Sequence, residues 1–241
     1  MTNQYDLVIA GGGLAGSLFL AGLKHHYPKL NILLIEKNET LGGNHTWCFH
    51  DHDIPNRTRK WLEPLLSKSW DSYEVKFPRY SRILNSKYHC IRSHELHEKV
   101  HGLHSKSIIL NTTVESWNKP KNEHGFTLHL RSKEGKDSHI HTNSFIDARG
   151  WIHPIKQEKV AWQKFVGLEL KLKKPHGLTR VLLKDVTIPQ IDGYRFFYVL
   201  PFSDDTLLIE DTYYSNHSIL KNERIELEIE RYAKEKGWEI E

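Results

Sequence analysis

The pattern of apolar and polar positions divides the chain into two regions. Up to about residue 150, short apolar runs alternate with helix-like segments, whereas beyond Pro154 the runs are longer and alternate residue by residue. The first pattern is typical of buried parallel strands joined by helices, and the second of an antiparallel sheet with one face covered. The sequence therefore predicts an α/β domain at residues 1–154 and an antiparallel-sheet domain with a C-terminal helix at residues 155–241.

The individual elements follow from the same patterns. Strands are predicted at residues 5–10, 31–37, 108–110, 113–117, 126–131, 139–141, 144–148, 163–172, 179–183, 194–202 and 206–214. Helices are predicted at residues 14–27, 93–104 and 220–236. We expect the strands between about residues 105 and 145 to be inserted into the parallel sheet, and the proline-interrupted segment 41–92 to be irregular.

A glycine motif lies between the first predicted strand and the first predicted helix. Gly11, Gly13 and Gly16 fit the pattern G-x-G-x-x-G, and Glu36 ends the second strand twenty positions after Gly16. Glycines at such a turn allow a pyrophosphate to approach the backbone and the positive end of the helix dipole, and the acid accepts hydrogen bonds from ribose hydroxyls. The motif predicts a dinucleotide-binding domain.

A second glycine pair indicates which dinucleotide is bound. Gly42 and Gly43 follow the ribose acid by a few residues, as a glycine doublet does in flavoproteins where the chain passes close to FAD. The strands inserted between residues 105 and 145 also favour the FAD-binding variety of this fold. The alternative is that the pair forms a surface turn.

Composition narrows the range of functions. The net charge of +4 is small and spread along the chain, without a basic stripe interleaved with aromatic residues, so we do not expect nucleic acid as a partner. There is no run of about 20 apolar residues and no signal-peptide pattern at the start, which predicts a cytosolic protein. Cys48 and Cys90 are predicted to be free, small apolar residues.

The histidine pattern in segment 97–101 (HEKVH) matches the zinc-protease motif H-E-x-x-H. However, Leu96 and Val100 share one face of the predicted helix and the histidines lie beside or opposite it. We therefore expect solvated histidines and no bound metal. The polar segment 50–53 is similarly expected to be a loop near the cofactor rather than a metal site.

Longer motifs resemble those of the bacterial lycopene cyclase family. They are the segments 42–51 (GGNHTWCFHD), 163–167 (QKFVG), 192–196 (DGYRF), 200–204 (LPFSD) and 208–215 (LIEDTYYS). The resemblance extends from residue 5 to about residue 238. It implies a glutathione-reductase-like, FAD-binding Rossmann-type fold and an isomerase of carotenoid biosynthesis that closes the acyclic ends of lycopene into β-rings.

The resemblance also implies the cofactors and the site residues. The family uses reduced FAD, kept reduced by NAD(P)H, without net oxidation of its substrate. Glu210 corresponds to the acidic residue tied to catalysis, and the cofactor-binding residues correspond to Gly11, Gly13, Gly16, Glu36, Gly42 and Gly43.

The residue types are consistent with that chemistry. Protonation of an unactivated double bond requires a strong acid facing an apolar pocket, and a carboxyl group in a dry pocket has a raised pKa. The aromatic run Tyr194, Phe196, Phe197 and Tyr198 is a candidate lining for that pocket, and core packing is its alternative role. An ion pair with Arg195 is the alternative role for Glu210.

Lycopene or another acyclic carotenoid dissolves in membranes, so we expect peripheral association with the inner face of the membrane. The segment 61–82, rich in tryptophan, is a candidate contact, and ordinary packing is its alternative. The family pattern continues beyond residue 241, which leads us to expect a missing C-terminal portion and a complementing C-terminal polypeptide as a partner. An FAD-dependent oxidoreductase of the hydroxylase or prenyl-reductase type and an inactive fragment remain alternatives.

Overall fold

The structure is a computed structural model of the chain, and it describes residues 4–120, 124–150 and 160–241. Its strands are β1 (Gln4–Ala10), β2 (Ile32–Ile35), β3 (Thr46–His50), β4 (Lys68–Trp70), β5 (Tyr73–Phe77), β6 (Tyr80–Leu84), β7 (Tyr88–Arg92), β8 (Ile108–Ile109), β9 (Thr112–Asn118), β10 (Phe126–Ser132), β11 (Asp137–Asp147), β12 (Trp162–Lys171), β13 (Val181–Asp185), β14 (Tyr194–Pro201) and β15 (Thr206–Ser215). Its α-helices are α1 (Leu14–His26), α2 (Asn56–Leu62), α3 (Ser93–His104) and α4 (Asn222–Glu235).

The chain divides into two compact units. The first unit comprises Met1–Ser67 and Cys90–Pro154, and the second comprises Lys68–His89 and Ile155–Glu241. The segment 68–89, which the sequence assigns to the first domain, is therefore part of the second unit. The reason is that β5 pairs with β13, a contact between distant residues that no local pattern reveals. The predicted boundary between residues 154 and 155 lies outside the described residues.

The first unit contains a mixed sheet of six strands in the order β8-β2-β1-β11-β10-β9. The first four strands run parallel, β10 pairs antiparallel with β11, and β9 pairs antiparallel with β10. The run Ile32–Ile35 is buried at every position because both faces of the sheet are covered. On one face, α1, α2 and α3 pack against Leu7 and Ile9 of β1. The predicted parallel sheet with antiparallel additions is confirmed.

The second unit contains a six-stranded sheet in the order β12-β15-β14-β13-β5-β6. Only β13 and β5 pair in parallel, and the other neighbours are antiparallel. Helix α4 covers one face, where Ile225, Ile229 and Tyr232 pack against Phe197 and other apolar side chains of the sheet. The residue-by-residue alternation in β15 follows from this one-sided burial.

Two of the element predictions are wrong. The segment 41–92 is not irregular, since it contains β3 to β7 and α2, but its strands have only three to five residues and show no clear period. The two strands predicted at 139–141 and 144–148 form one strand, β11. It continues through the polar Thr142, which is buried because β1 and β10 pair with it on both sides.

Most other elements lie within a few residues of their predicted positions, and α3 has the predicted bounds. Within the described ranges, no helix is long and apolar enough to cross a bilayer.

Candidate functional site

The glycine turn after β1 is shaped by close backbone contacts. Gly11 has φ of 105°, and a Cβ atom added there would come within 2.6 Å of the carbonyl oxygen of Ala148. A Cβ atom on Gly16 would overlap the carbonyl oxygen of Gly11. These two glycines are therefore required by the turn itself, where α1 crosses close to the end of β1.

Gly13 differs from its neighbours because its side-chain position is open. A Cβ atom added to Gly13 meets no atom of the described chain within 4 Å, and its φ of −65° is accessible to any residue. Gly13 is also the N-cap of α1, and no side chain of the described residues caps that helix. The uncapped amides and the helix dipole together provide a site for an anion.

Glu36 lies at the end of β2, against the glycine turn. Its Oε2 atom accepts a hydrogen bond from the backbone N–H of Gly12 at 2.7 Å, and its Oε1 atom accepts two from Asn38 at 2.8 and 2.9 Å. The side chain is buried, yet it lines a cavity next to Gly13. An ionised carboxylate has about four acceptor sites, so Glu36 retains capacity to accept from a ligand hydroxyl.

The Gly42–Gly43 pair forms the next part of the cavity wall. Both residues have positive φ, 83° and 65°, and the N–H of Gly42 donates to the carbonyl oxygen of Gly12 at 2.8 Å. The N–H of Leu41 donates to Nδ1 of His97 at 3.1 Å. The pair is thus part of a connected wall and not an isolated surface turn.

The role of His97 differs from its prediction as a solvated residue. It is half-buried, and burial, followed by the nearby His101, lowers the pKa of its imidazole. The neutral ring accepts the hydrogen bond that positions Leu41. Helical periodicity did not reveal this contact, because the partner is 56 residues away along the chain. Among the described residues, no three His, Cys, Asp or Glu side chains converge as metal ligands.

These residues surround a cavity of about 530 Å³ at the carboxyl ends of β1, β2 and β11. Arg149 also lines it, and sequence analysis did not identify this residue as part of the site. Its guanidinium donates to Asp147 at 2.6 and 2.8 Å and to the carbonyl oxygen of Val114 at 2.6 Å. The fit of a dinucleotide to the cavity is good: the helix amides face the place for a phosphate, and a carboxylate lies where a ribose would bind.

A second group of candidate residues lies on the sheet of the other unit. Glu210, at the middle of β15, is flanked by Gly167 of β12 and Tyr198 of β14. A Cβ atom on Gly167 would come within 2.9 Å of Cγ of Glu210, so the glycine leaves the space into which the glutamate side chain extends. Among the described residues, no side chain forms a hydrogen bond or ion pair with this carboxyl group. Burial raises the pKa of Glu210 to about 7.

Arg195 is not the partner of Glu210. It lies on the opposite face of the sheet, where its guanidinium donates to Asp211 at 2.7 and 2.8 Å and to Glu228 of α4 at 2.9 Å. The hydroxyl of Tyr213 donates to Asp211 at 2.8 Å. The alternative role of Glu210 as a structural ion pair with Arg195 is therefore wrong, and the alternation of side chains along β14 and β15 is the reason.

The aromatic run of β14 divides between the two faces in the same way. Phe197 stacks on Tyr232 of α4 with ring centroids 4.0 Å apart, and belongs to the core. Phe196 and Tyr194 lie on the face of Glu210, together with Tyr214 of β15. Of the two roles considered for this run, Phe197 has the alternative one, core packing.

Two polar groups accompany the aromatic side chains on the face of Glu210. Nζ of Lys184 lies 4.9 Å from the centroid of the Phe196 ring. The hydroxyl of Tyr198 donates to the hydroxyl of Tyr88 at 3.1 Å. The face therefore offers aromatic surfaces, the cation of Lys184 and a desolvated carboxyl group.

The mixed sheet with its glycine turn, ribose acid and added antiparallel strands is the architecture of the Rossmann-type flavoproteins. Solved structures agree at the level of the fold. A p-nitrophenol 4-monooxygenase from Pseudomonas putida has a TM-score of 0.70 at 12% identity, over 97% of this chain and 63% of that one. A geranylgeranyl bacteriochlorophyll reductase-like protein from Thermoplasma acidophilum has a TM-score of 0.66 at 13% identity, over 100% of this chain and 65% of that one.

The sequence comparisons identify the family. The family model described as lycopene cyclase protein matches residues 6–241, and the chain belongs to this family. It is 38% identical over 235 residues to a lycopene beta-cyclase from Pseudescherichia vulneris and 36% identical over 241 residues to one from Pantoea ananas. The alignments cover 98% and 100% of this chain but 58% and 60% of those relatives, so the chain spans less than two thirds of their length.

Proposed function

We propose that this protein takes part in lycopene β-cyclisation, with Glu210 as the acid that starts ring closure. The observation that carries the proposal is the state of Glu210: its carboxyl group is desolvated, has no ionic partner among the described residues, and its pKa is raised to about 7. A carboxyl group of this kind is protonated over a wider pH range than an exposed one, and it can transfer its proton to an apolar substrate. The named relatives support the substrate, an acyclic carotenoid.

The reaction follows from the residues on this face. Glu210 donates its proton to a terminal double bond of lycopene, the resulting carbocation is attacked by a neighbouring double bond, and a ring forms. Loss of a proton from the carbon next to the new quaternary centre gives the β-ring, so the product is an isomer of the substrate. Phe196 and the other aromatic rings of this face stabilise the cation with their π-systems and exclude water.

The cavity of the first unit supports FAD as the cofactor. Gly11, Gly13 and Gly16 would form the turn that receives the pyrophosphate, with Glu36 against the ribose and Gly42 and Gly43 beside the nucleotide. Bound FAD in its reduced form, maintained by NAD(P)H, would supply electrostatic stabilisation of the cation without net redox change.

Cofactor binding is tested by a matched pair of glycine variants. Gly13→Val should fold normally but fail to retain FAD, because its side chain fills open space where the pyrophosphate would lie. Gly16→Val should lower the melting temperature, because its side chain overlaps the carbonyl oxygen of Gly11. Flavin absorbance after gel filtration and thermal unfolding separate the two effects. Normal FAD retention by Gly13→Val would rule out this turn as the cofactor site.

The proposed chemistry is tested by incubating the purified chain with lycopene, FAD and NADPH and analysing the product by mass and absorption. We expect an unchanged mass with a blue-shifted absorption spectrum, and we expect Glu210→Gln to abolish the product while flavin binding persists. Glu169→Gln, which removes an exposed carboxylate from the neighbouring strand, is the control and should keep its activity. A product of altered mass would favour redox chemistry, and no product from the wild-type chain would favour a fragment that needs a complementing C-terminal polypeptide.

A carotenoid substrate also requires peripheral contact with a membrane, which we propose to be its inner, cytoplasmic face.

A further inference from the structure

The hairpin formed by β5 and β6 exposes apolar side chains to solvent. The exposed fractions of Phe77, Tyr80 and Ile83 are 37%, 56% and 48%. Strand β6 is an edge strand of the second sheet, and its first four residues are exposed. Phe77 and Tyr80 are paired across the hairpin and share one face, where they form a local apolar patch. Ile83 is paired with Glu74 and lies on the other face.

The same hairpin is basic. Residues 75–89 contain four cationic side chains and no Asp or Glu. Lys76 lies 3.5 Å from Glu74, which precedes this stretch. Arg79 and Arg82 are exposed, and no carboxylate of the described residues pairs with either of them. Two unpaired guanidinium groups therefore occur on the hairpin that also exposes Phe77 and Tyr80.

The strand register places this patch on the sheet face that carries Glu210. Phe77 lies opposite Tyr80 across the hairpin, and Val75 lies opposite Arg82, so these four side chains share one face. Val75 is also paired with Lys184 of β13, whose Nζ atom lies over the ring of Phe196. The exposed patch and the proposed acid are thus at two places on one continuous sheet surface.

We propose that the β5–β6 hairpin is the surface by which this protein binds an anionic lipid bilayer. Phe77 and Tyr80 enter the interfacial region, where aromatic rings are favoured, and Arg79 and Arg82 contact headgroup phosphates. This inference rests on the proposed function, because a carotenoid substrate is what requires membrane binding. It adds the residues that make the contact. It also limits the predicted contact segment 61–82 to the hairpin. Trp70 is buried and Trp61 packs against Gly22, so these two side chains have packing roles.

Two other binding partners for the β6 edge, a second copy of the chain and another protein segment, are less consistent with the charge of the hairpin. A second copy pairing along β6 would bring Arg82 and Arg79 of both copies together, and charged edges of this kind oppose strand pairing. A further protein segment would need acidic groups to match the unpaired guanidiniums. Phosphate headgroups at a bilayer surface supply that charge together with an apolar phase for the aromatic rings.

The test is co-sedimentation of the purified chain with vesicles, without lycopene. Vesicles of phosphatidylcholine alone are compared with vesicles that contain phosphatidylglycerol. Arg79→Gln/Arg82→Gln should weaken binding to the anionic vesicles about 30-fold, from two cations at the surface, and leave binding to neutral vesicles unchanged. Phe77→Ser/Tyr80→Ser should weaken binding to both kinds of vesicle.

Matched controls come from the same unit. Lys173→Gln/Lys174→Gln removes two exposed cations elsewhere, and Leu227→Ser removes a 65% exposed apolar side chain from α4. Both should bind vesicles as the wild-type chain does. Equal losses in the control and hairpin variants would overturn the assignment, and so would a hairpin-dependent change of oligomeric state without lipid.

A measurement on the wild-type chain makes the result independent of variant folding. Amide hydrogen exchange with and without anionic vesicles should show new protection concentrated in residues 75–84. Protection elsewhere with none in the hairpin would overturn the proposal. Because no substrate is present, a lack of vesicle binding through the hairpin would not affect the proposed role of Glu210. Loss of cyclisation in Glu210→Gln with normal vesicle binding would concern the chemistry alone.

Discussion

The two faces of the second sheet place neighbouring carboxyl groups in opposite environments. Asp211 is fully buried under α4, yet it accepts two hydrogen bonds from Arg195 and one from Tyr213. Glu210, one residue earlier on the other face, is only partly buried and has no such partner among the described residues. A buried charge that is fully paired is held as part of the structure, whereas a desolvated and unpaired carboxyl group favours its protonated form.

The rest of each face follows the same division. Under α4, Asp185 accepts hydrogen bonds from Tyr232, Lys236 and Thr187. Burial alone would raise its pKa, but these bonds lower it overall. On the face of Glu210, the aromatic rings of Phe165 and Tyr214 remain 45% and 42% exposed. On the face under α4, buried charges are thus satisfied by hydrogen bonds and ion pairs. On the face of Glu210, apolar surface and a carboxyl group are accessible to a ligand.

Removing a charge partner on the face under α4 should have the largest effect on stability. Asp211→Asn leaves Arg195 buried with Glu228 as its remaining ionic partner, and removing one member of a buried pair typically costs about 3–5 kcal/mol of unfolding free energy. Urea denaturation at pH 7 measures this loss. Asp204→Asn, at an exposed position, is the control and should stay within about 0.5 kcal/mol of the wild type. Similar values for the two variants would mean that the Arg195 network contributes little to stability.

On the opposite face, removal of the Glu210 carboxyl group should stabilise the folded protein at alkaline pH. The pKa of Glu210 is about 7 in the folded protein and about 4.3 in an unfolded chain, so the folded state holds the extra proton between these values. Wild-type stability therefore falls as pH rises from about 4.3 to 7 through this group, and the loss persists above it. Glu210→Gln lacks this loss and should be more stable than the wild type at pH 8 by about 1–3 kcal/mol.

Thermal unfolding across pH 4–8 checks this prediction. The two proteins should have similar stability at pH 4, where the carboxyl group is protonated in the folded state and mostly protonated in the unfolded state. A Glu210→Gln variant that is less stable than the wild type at pH 8 would show that the carboxylate has a stabilising partner, and would contradict the comparison between the two faces.

A smaller effect is expected at the glycine that makes room for Glu210. Gly167→Ala places a Cβ atom 2.9 Å from Cγ of Glu210, so the glutamate side chain must shift, at a cost of about 1 kcal/mol. We expect the shift to expose the carboxyl group and lower its pKa, which carboxyl-carbon NMR titration measures. Gly102→Ala, in α3 with nothing near its Cβ position, should be neutral or stabilising. An unchanged Glu210 pKa in Gly167→Ala would show that this space does not control its burial.

Local sequence patterns predicted much of the first unit because its signals act over short distances. Gly11, Gly16 and Glu36 follow from one strand–turn–helix motif, and α3 has the predicted bounds. Patterns did not reveal Arg149 at the cavity or the hydrogen bond from Leu41 to His97, since these depend on where distant segments meet. They also missed the short strands β5 and β6, whose place is decided by the pairing of β5 with β13.

The sequence by itself determined that Glu210 and Asp211 point to opposite sides, because side chains alternate along a strand whatever surrounds it. Only the tertiary structure decided which side is covered. Helix α4 folds back over Asp211 and brings Glu228 to Arg195, while Gly167 on the neighbouring strand leaves space beside Glu210. A carboxyl group's charge state is set by the atoms that replace water around it, and those atoms come from segments that are distant in the chain.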